Sequence, residues 1–542
     1  MKRVQAVFLS SAMLVLGGAA ATRAQSAPPS GSTGAPTSPA AHRGVKNALQ
    51  PPDGKWLKDE DGREYFVSKV PKTKGFRRDS ETHITASGTY GFDIVGEDAE
   101  FFFAKIYKPV STASARRKLP TPQELAAKAR EYEFTLSASD RLVFEPIGEG
   151  LPETGHWRNG FDLADLNGDG HLDFVHSSAR GQLNSRPNLF LGDGKGKFAP
   201  WREATFPSLK YEYGDIVAAD FNNDGHADLA IAVHLRGLLV LYGDGKGRFR
   251  QAPNGPSYEA GDIRLEAINR FSSRQVERLD WDGDGRPEFL ALAEGPSGIY
   301  FSNKGYSGKL QESYGVGLFH LDDKGAWTRI EGTTDPNLYG DSIAIGDVNG
   351  DGKVDFLLGS NSAGVDTLLH LHQEDGGWAA APALPLRDRS WNRSVAMGDF
   401  DRNGKVDLAI SFQSIELGVH RSGLDLLLAQ PDGSWKRRTI FSEDGDNGLQ
   451  SMTSGDLDGD GNLDLIAGAR NGRVFVLLGD GKGGFTSESA DELAAVQACG
   501  VYDIHLADIN EDRQQDLVVA FAGEDCPGRG HIGAWTWVAT RP

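Results

Sequence analysis

Only two cysteines and four methionines occur in 542 residues, so neither a disulfide framework nor a thiolate metal centre organises this chain. Basic charge is also in short supply, with 57 Lys and Arg against 76 Asp and Glu and a net charge of −19. That balance argues against nucleic acid as a partner, because phosphate binding needs clustered Lys and Arg. No apolar run has the ~20 residues of a membrane helix, and none is expected to span. The run from Val4 to Leu16 follows Lys2-Arg3 and leads into small residues ending at Ala24. This is the pattern of a secretory signal, residues 1–24, and it predicts a secreted protein, extracellular or periplasmic.

Glycine, by contrast, is abundant at 68 residues, and the apolar fraction of 39% is enough to bury real cores. Residues 25–52 are rich in Ser, Ala, Pro, Gly and Thr, with almost no aliphatic bulk, and read as a disordered linker. Short alternating stretches such as Glu64 to Val67 and Glu100 to Tyr107 predict a small antiparallel β module over 53–112, with Asp59 to Gly62 as a hairpin turn. Thr121-Pro122 with Glu124 supplies an N-cap, a first-turn proline and a capping-box acid. One short connecting helix is therefore expected within 113–132.

From residue 133 the chain is ordered by a nine-residue stretch beginning at Asp165 and written again at Asp220, Asp280, Asp347, Asp399, Asp456 and Asp508. Steps of 52 to 67 residues between copies mark a repeat architecture. Each copy reads D-x-[DN]-x-[DN]-G-x-x-[DE]. Oxygen-bearing side chains at positions 1, 3, 5 and 9 suit calcium, which takes roughly 6 to 8 hard oxygen ligands, and glycine at position 6 permits the turn. The predicted ligands are Asp165, Asn167, Asp169 and Asp173, then Asp220, Asn222, Asp224 and Asp228, then Asp280, Asp282, Asp284 and Glu288. They continue with Asp347, Asn349, Asp351 and Asp355, with Asp399, Asp401, Asn403 and Asp407, and with Asp456, Asp458, Asp460 and Asp464. The third and sixth copies carry four carboxylates and are expected to bind most tightly. The seventh, Asp508, Asn510, Asp512 and Asp516, has Arg513 where glycine belongs, so six or seven ions are expected.

EF-hand loops open with the same letters, but the flanks here are apolar runs of strand length, such as Leu229 to Val233 and Leu517 to Ala520. Here the sequence resembles the FG-GAP/VCBS repeat family, whose members, like the integrin alpha-subunit head, form seven-bladed β-propellers with calcium in the first hairpin of a blade. The resemblance covers roughly 133–542. The segments Gly192 to Phe198, Gly243 to Phe249 and Gly479 to Phe485 look like the family's outer hairpin, and weaker versions lead to Trp327, Trp378 and Trp435. The integrin-type Phe-Gly and Gly-Ala-Pro signatures are absent, so the resemblance implies the repeat class and an all-β fold, not integrin function.

An unmatched strand around Leu142 to Phe144 precedes the first repeat, and it is expected to complete the last blade and close the ring. Cys499 and Cys526 flank the first hairpin of that blade and are expected to pair. If every loop joins an inner strand to a second strand, all seven lie on one face and the opposite face is free for a ligand. The candidates there are His156, Trp157, Arg158, Tyr211, Tyr213, Tyr339, Trp391, Arg393 and Tyr502. Aromatics beside Arg and Asn stack on sugar faces or anchor a protein loop, while strand packing claims some of them. A long loop from Ser411 to Gly423, with Glu416, His420 and Arg421, is a further contact candidate.

The leading expectation is a monomeric, non-catalytic module that binds a glycan or protein. A polysaccharide lyase or other sugar-active propeller, using His156, Arg158, Tyr213 and Arg393, is the alternative. A structural or envelope-assembly scaffold is the third. No nucleophile motif or cofactor fingerprint is present, and no His/Cys cluster has zinc spacing.

Overall fold

The apolar run after each loop is long enough for one strand and is flanked by turn residues. It becomes the second, fully buried strand of a blade, as in Asp228–Val233 and Asp516–Ala522. The structure is a computed structural model. It describes the strands within residues 57–107 by their backbone, and residues 136–539 apart from 179–185, 235, 257, 259–272, 294–314, 334–337, 362, 417–418, 446, 491–492, 494–498, 524–525 and 527. The expected signal, linker and connecting helix lie outside the described residues.

The chain divides into two units, 1–120 and 121–542. In the first, six antiparallel strands form one sheet in the order Leu57–Lys58, Glu64–Pro71, Phe101–Tyr107, Tyr90–Glu97, His83–Ala86, Phe76–Ser80. The first two of these strands pair antiparallel, while the turn expected at Asp59 to Gly62 lies outside the described residues.

The second unit is a ring of seven sheets, each built as an antiparallel meander of four strands from the inside outward. The inner strands are Phe161–Ala164, Ile216–Ala219, Ser273–Leu279, Ser342–Gly346, Val395–Gly398, Leu449–Gly455 and Gly500–Ala507. Each meets the next around the axis, and the seventh returns to the first. Cores form between blades. Phe174 packs among Val518 and Ala520 of the neighbouring blade, and Leu290 and Leu292 pack with Phe356 and Leu358.

The ring closes as expected. Leu142–Ile147 is the outermost strand of the last blade, antiparallel to His531–Ala539, with Phe144 opposite Trp537. Just before it, Ser137–Ser139 adds a fifth strand, parallel to Phe485–Glu488, on the sixth blade. One short stretch of chain thus laces two blades together. Cys499 and Cys526 form a disulfide with Cα atoms 5.3 Å apart.

Blade 5 departs from expectation. The stretch read as a loop from Ser411 to Gly423 is paired strand, because Asp407–Glu416 and Val419–Ala429 continue in register from Leu408↔Leu427 to Glu416↔Val419. Buried Phe412 and Leu424 extend the core along this hairpin, so the chain keeps pairing instead of leaving the sheet.

Candidate metal loops and the opposite face

All seven loops adopt one turn. The backbone is left-handed at position 6 in every copy, from Gly170 at φ 92° to Arg513 at φ 73°. Position 4 is left-handed as well, at Gly168, Asn223, Gly283, Gly350, Arg402, Gly459 and Glu511. The first aspartate builds this turn. Asp165 accepts backbone N–H from Gly168 (2.7 Å), Asp169 (3.2 Å) and Gly170 (2.9 Å), and Asp347 does the same for its loop. In the seventh loop Asp508 still accepts from Arg513 at 2.8 Å, so the missing glycine does not change the geometry.

Position 9 has two duties. Asp464 accepts N–H from Leu457 of its own loop and from Gly479 of the third strand, both at 2.8 Å. Asp173, Asp355 and Asp407 repeat this brace. Burial pushes Asp173, Asp407 and Asp516 up to about 6 and Asp228, Glu288 and Asp464 up to about 7, and neighbouring loop carboxylates add to the shift.

These donors fit a hard cation. Carboxylate oxygens of Asp280, Asp282 and Asp284, of Asp399, Asp401 and Asp407, and of Asp456, Asp458 and Asp460 lie within 4.8 Å of one another in each set. Buried Oδ1 atoms of Asp456 and Asn222 have no hydrogen-bond partner. An all-oxygen set on a glycine-bearing turn is the ligand chemistry of calcium, not zinc.

The opposite face begins where the inner strands start. Trp157, Tyr211 and Tyr213 are buried there: Trp157 Nε1 donates to Thr154 O, and Tyr211 Oη donates to Pro207 O. Packing therefore claims these three. Arg158 lies over two rings, 5.6 Å from Tyr213 and 5.2 Å from Tyr502, and so joins blades 1, 2 and 7. His156, Arg158, Tyr339, Trp391, Arg393 and Tyr502 are half-buried. Trp391 is held by a two-way backbone bridge to Gln413 of the long hairpin. His420 is exposed, and Arg421 pairs with Asp444 at 3.1 Å.

Tyr502 also lines a central cavity of about 360 Å³. An inner strand is a sheet edge, and its unpaired N–H groups need acceptors. Aspartates of the preceding blade supply them. Asp503 accepts from Phe161 (3.0 Å), Asp162 from Ala218 (2.8 Å) and Asp215 from Val276 (3.0 Å). Spacing along the chain gave no sign of this, although the Asp at the start of three inner strands was visible. Deeper in the cavity His505 Nε2 lies 3.2 Å from Asp503. Burial alone would lower this histidine, but Asp503, backed by Asp162 and Asp215, holds it up at about 9. Burial raises Glu277 to about 7.

Seven blades, each with an aspartate-rich turn between its first two strands, define the class as a seven-bladed β-propeller. More particularly, FG-GAP-like repeats are found in four regions of the chain, residues 178–231, 280–358, 347–410 and 456–519. The last three matches each start on the first aspartate of a loop. No curated protein matches the sequence. Among solved structures, BBS1N from a complex with ARL6DN soaked with mercury is similar at 12% identity and TM-score 0.43, over 73% of this chain and 97% of that one. The S. cerevisiae core factor is similar at 11% identity and TM-score 0.42, over 77% of this chain and 64% of that one.

Proposed function

We propose that this chain is a secreted, calcium-stabilised binding module whose face opposite the loops grips a glycan or a protein without catalysis. The observation that carries the reading is the contrast between the two faces. One presents seven copies of a single oxygen-lined turn, and the other gathers half-buried Arg158, Tyr339, Trp391, Arg393 and Tyr502 from four blades. Rigid aromatics beside guanidinium groups supply stacking area and directional donors at small entropic cost.

In this reading six or seven calcium ions hold the loops, and the signal-like residues 1–24 take the chain to a compartment where calcium is plentiful. Near 1 mM calcium, a site with Kd of about 0.1 mM contributes about 1.4 kcal/mol. Chelator is expected to lower the midpoint of thermal unfolding, and unchanged unfolding would count against calcium.

A second reading has its own support. Glu277, Asp503 and His505 bring two perturbed titratable groups and a carboxylate into one cavity, which is how acid–base catalysts are arranged. A lyase acting on uronate-containing polysaccharide is the form this reading takes.

One assay separates the two. The protein from about residue 25 is mixed with immobilised neutral and acidic polysaccharides, with calcium or chelator, and bound protein and released sugar are measured together. Retention without release supports the binding module, and Trp391→Ala or Tyr502→Ala is then expected to weaken retention at least tenfold. Release of unsaturated oligosaccharide makes the protein a lyase. If neither occurs, both glycan readings fall and the search turns to protein partners.

A further inference from the structure

The two loops with a fourth carboxylate share a feature that their spacing did not reveal. In each, a guanidinium meets a loop carboxylate: Arg286 with Asp284 at 2.6 Å, and Arg141 with Asp458. Arg286 belongs to its own loop, but Arg141 comes from 317 residues away in the chain. It sits in the turn between Ser137–Ser139 and Leu142–Ile147, the two strands that lace blades 6 and 7. The next amide, Leu142 N–H, donates to buried Glu488 Oε1 at 3.0 Å. Asp458 is nearly buried, with 4% of its side chain exposed, while Arg141 is 58% exposed. Beside them a cavity of about 540 Å³, lined by Asp456, Asp458, Arg513 and Trp537, gives water and ions a route to the loop.

We propose that Arg141 is a built-in substitute cation for the sixth loop, which keeps the seam of the ring closed when no metal is bound there and weakens metal binding at that loop. The proposal rests on the calcium reading above. Four carboxylates on one short turn repel each other, and a guanidinium relieves that repulsion as a metal would. A positive charge at Asp458 also competes with an incoming cation. Coupling of this kind is reciprocal, so the arginine and the metal weaken each other's hold by the same factor. The sixth loop, expected from its carboxylate count to bind most tightly, is thereby one of the weaker sites.

The test uses the mature full chain and three proteins: unaltered, Arg141→Gln and Asp458→Asn. Calcium is titrated calorimetrically into each, and amide exchange of residues 137–147 is followed with calcium and with chelator. Because Arg141 is more than half exposed, the expected effects are about three- to five-fold. Arg141→Gln is expected to tighten one calcium site by that factor. In chelator its seam amides exchange faster by the same factor, and calcium restores their protection. Asp458→Asn loosens the seam in chelator as well, and calcium restores its protection, because Asn holds the same position in four other loops. Calcium titrations of the unaltered protein and Arg141→Gln that superpose, or seam amides that exchange alike in chelator, overturn the proposal while leaving the calcium reading intact. Failure of the unaltered protein to bind calcium overturns both.

Discussion

Removal of the Asp162 carboxylate should open the seam between blades 1 and 2 and no other. Asp162 is buried and accepts two backbone hydrogen bonds, from Leu163 at 2.8 Å and across the seam from Ala218 at 2.8 Å. The Arg278 guanidinium lies 3.5 Å from the same carboxylate. Asp162→Ala leaves both N–H groups without this acceptor at the wall of the central cavity. Each buried, unsatisfied N–H costs about 1–3 kcal/mol, so the seam weakens by about 2–6 kcal/mol. The lower figure corresponds to roughly 30-fold faster exchange of the Ala218 amide. The Val276 amide, held by Asp215 in the next seam, serves as the internal control and should change little. Exchange at Ala218 that stays within about three-fold of the unaltered protein would refute the claim that these aspartates bind blade to blade.

Arg513 holds a left-handed backbone that costs a side-chain residue about 1–2 kcal/mol, so Arg513→Gly should stabilise blade 7 by about 0.5–1 kcal/mol after the extra entropy of glycine in the unfolded chain. Urea unfolding will read it, and a loss of stability would show that the Arg513 side chain has a role of its own. Replacing Cys499 and Cys526 together with alanine removes a closure of 27 residues and should cost about 3.5 kcal/mol, with exchange rising first among the amides of 500–522. Uniform destabilisation around the ring would contradict this. For His505 the folded value lies above the free one, near 9 against 6.5. Its stabilising contribution is therefore complete below pH 6.5 and lost as pH rises through 9. With 35% of the imidazole exposed, the span is discounted to about 1–2 kcal/mol. His505→Gln should flatten stability between pH 6.5 and 9, and an unchanged slope would dissociate His505 from it.

What the sequence made legible was local. Seven loops announced themselves because one turn needs oxygens and glycines at fixed positions, and the strands followed from apolar runs of strand length. The closing strand near Leu142 could be inferred because a blade would otherwise lack its fourth member. Relations between blades were not legible. Asp162 and Ala218 are 56 residues apart, and nothing in either neighbourhood encodes the other. The same holds for Arg141 and Asp458, and for the parallel pairing of Ser137–Ser139. Burial of Trp157, Tyr211 and Tyr213 depends on which side of a blade they reach. The left-handed position 4 was readable but missed: four of its seven residues are glycine and one is Asn223, the residues that tolerate positive φ.

Second strands elsewhere in the ring run 4 to 7 residues, but those of the blade 5 hairpin run 10 and 11. At about 3.3 Å per residue the excess lifts its tip roughly 15 Å beyond the neighbouring blades, on the side away from the aspartate loops. A ring of near-identical blades offers an approaching molecule seven equivalent orientations. This parapet removes the equivalence. It gives the disc a single heading, with exposed Ile415 and His420 near the crest and the bridged Trp391 at its foot.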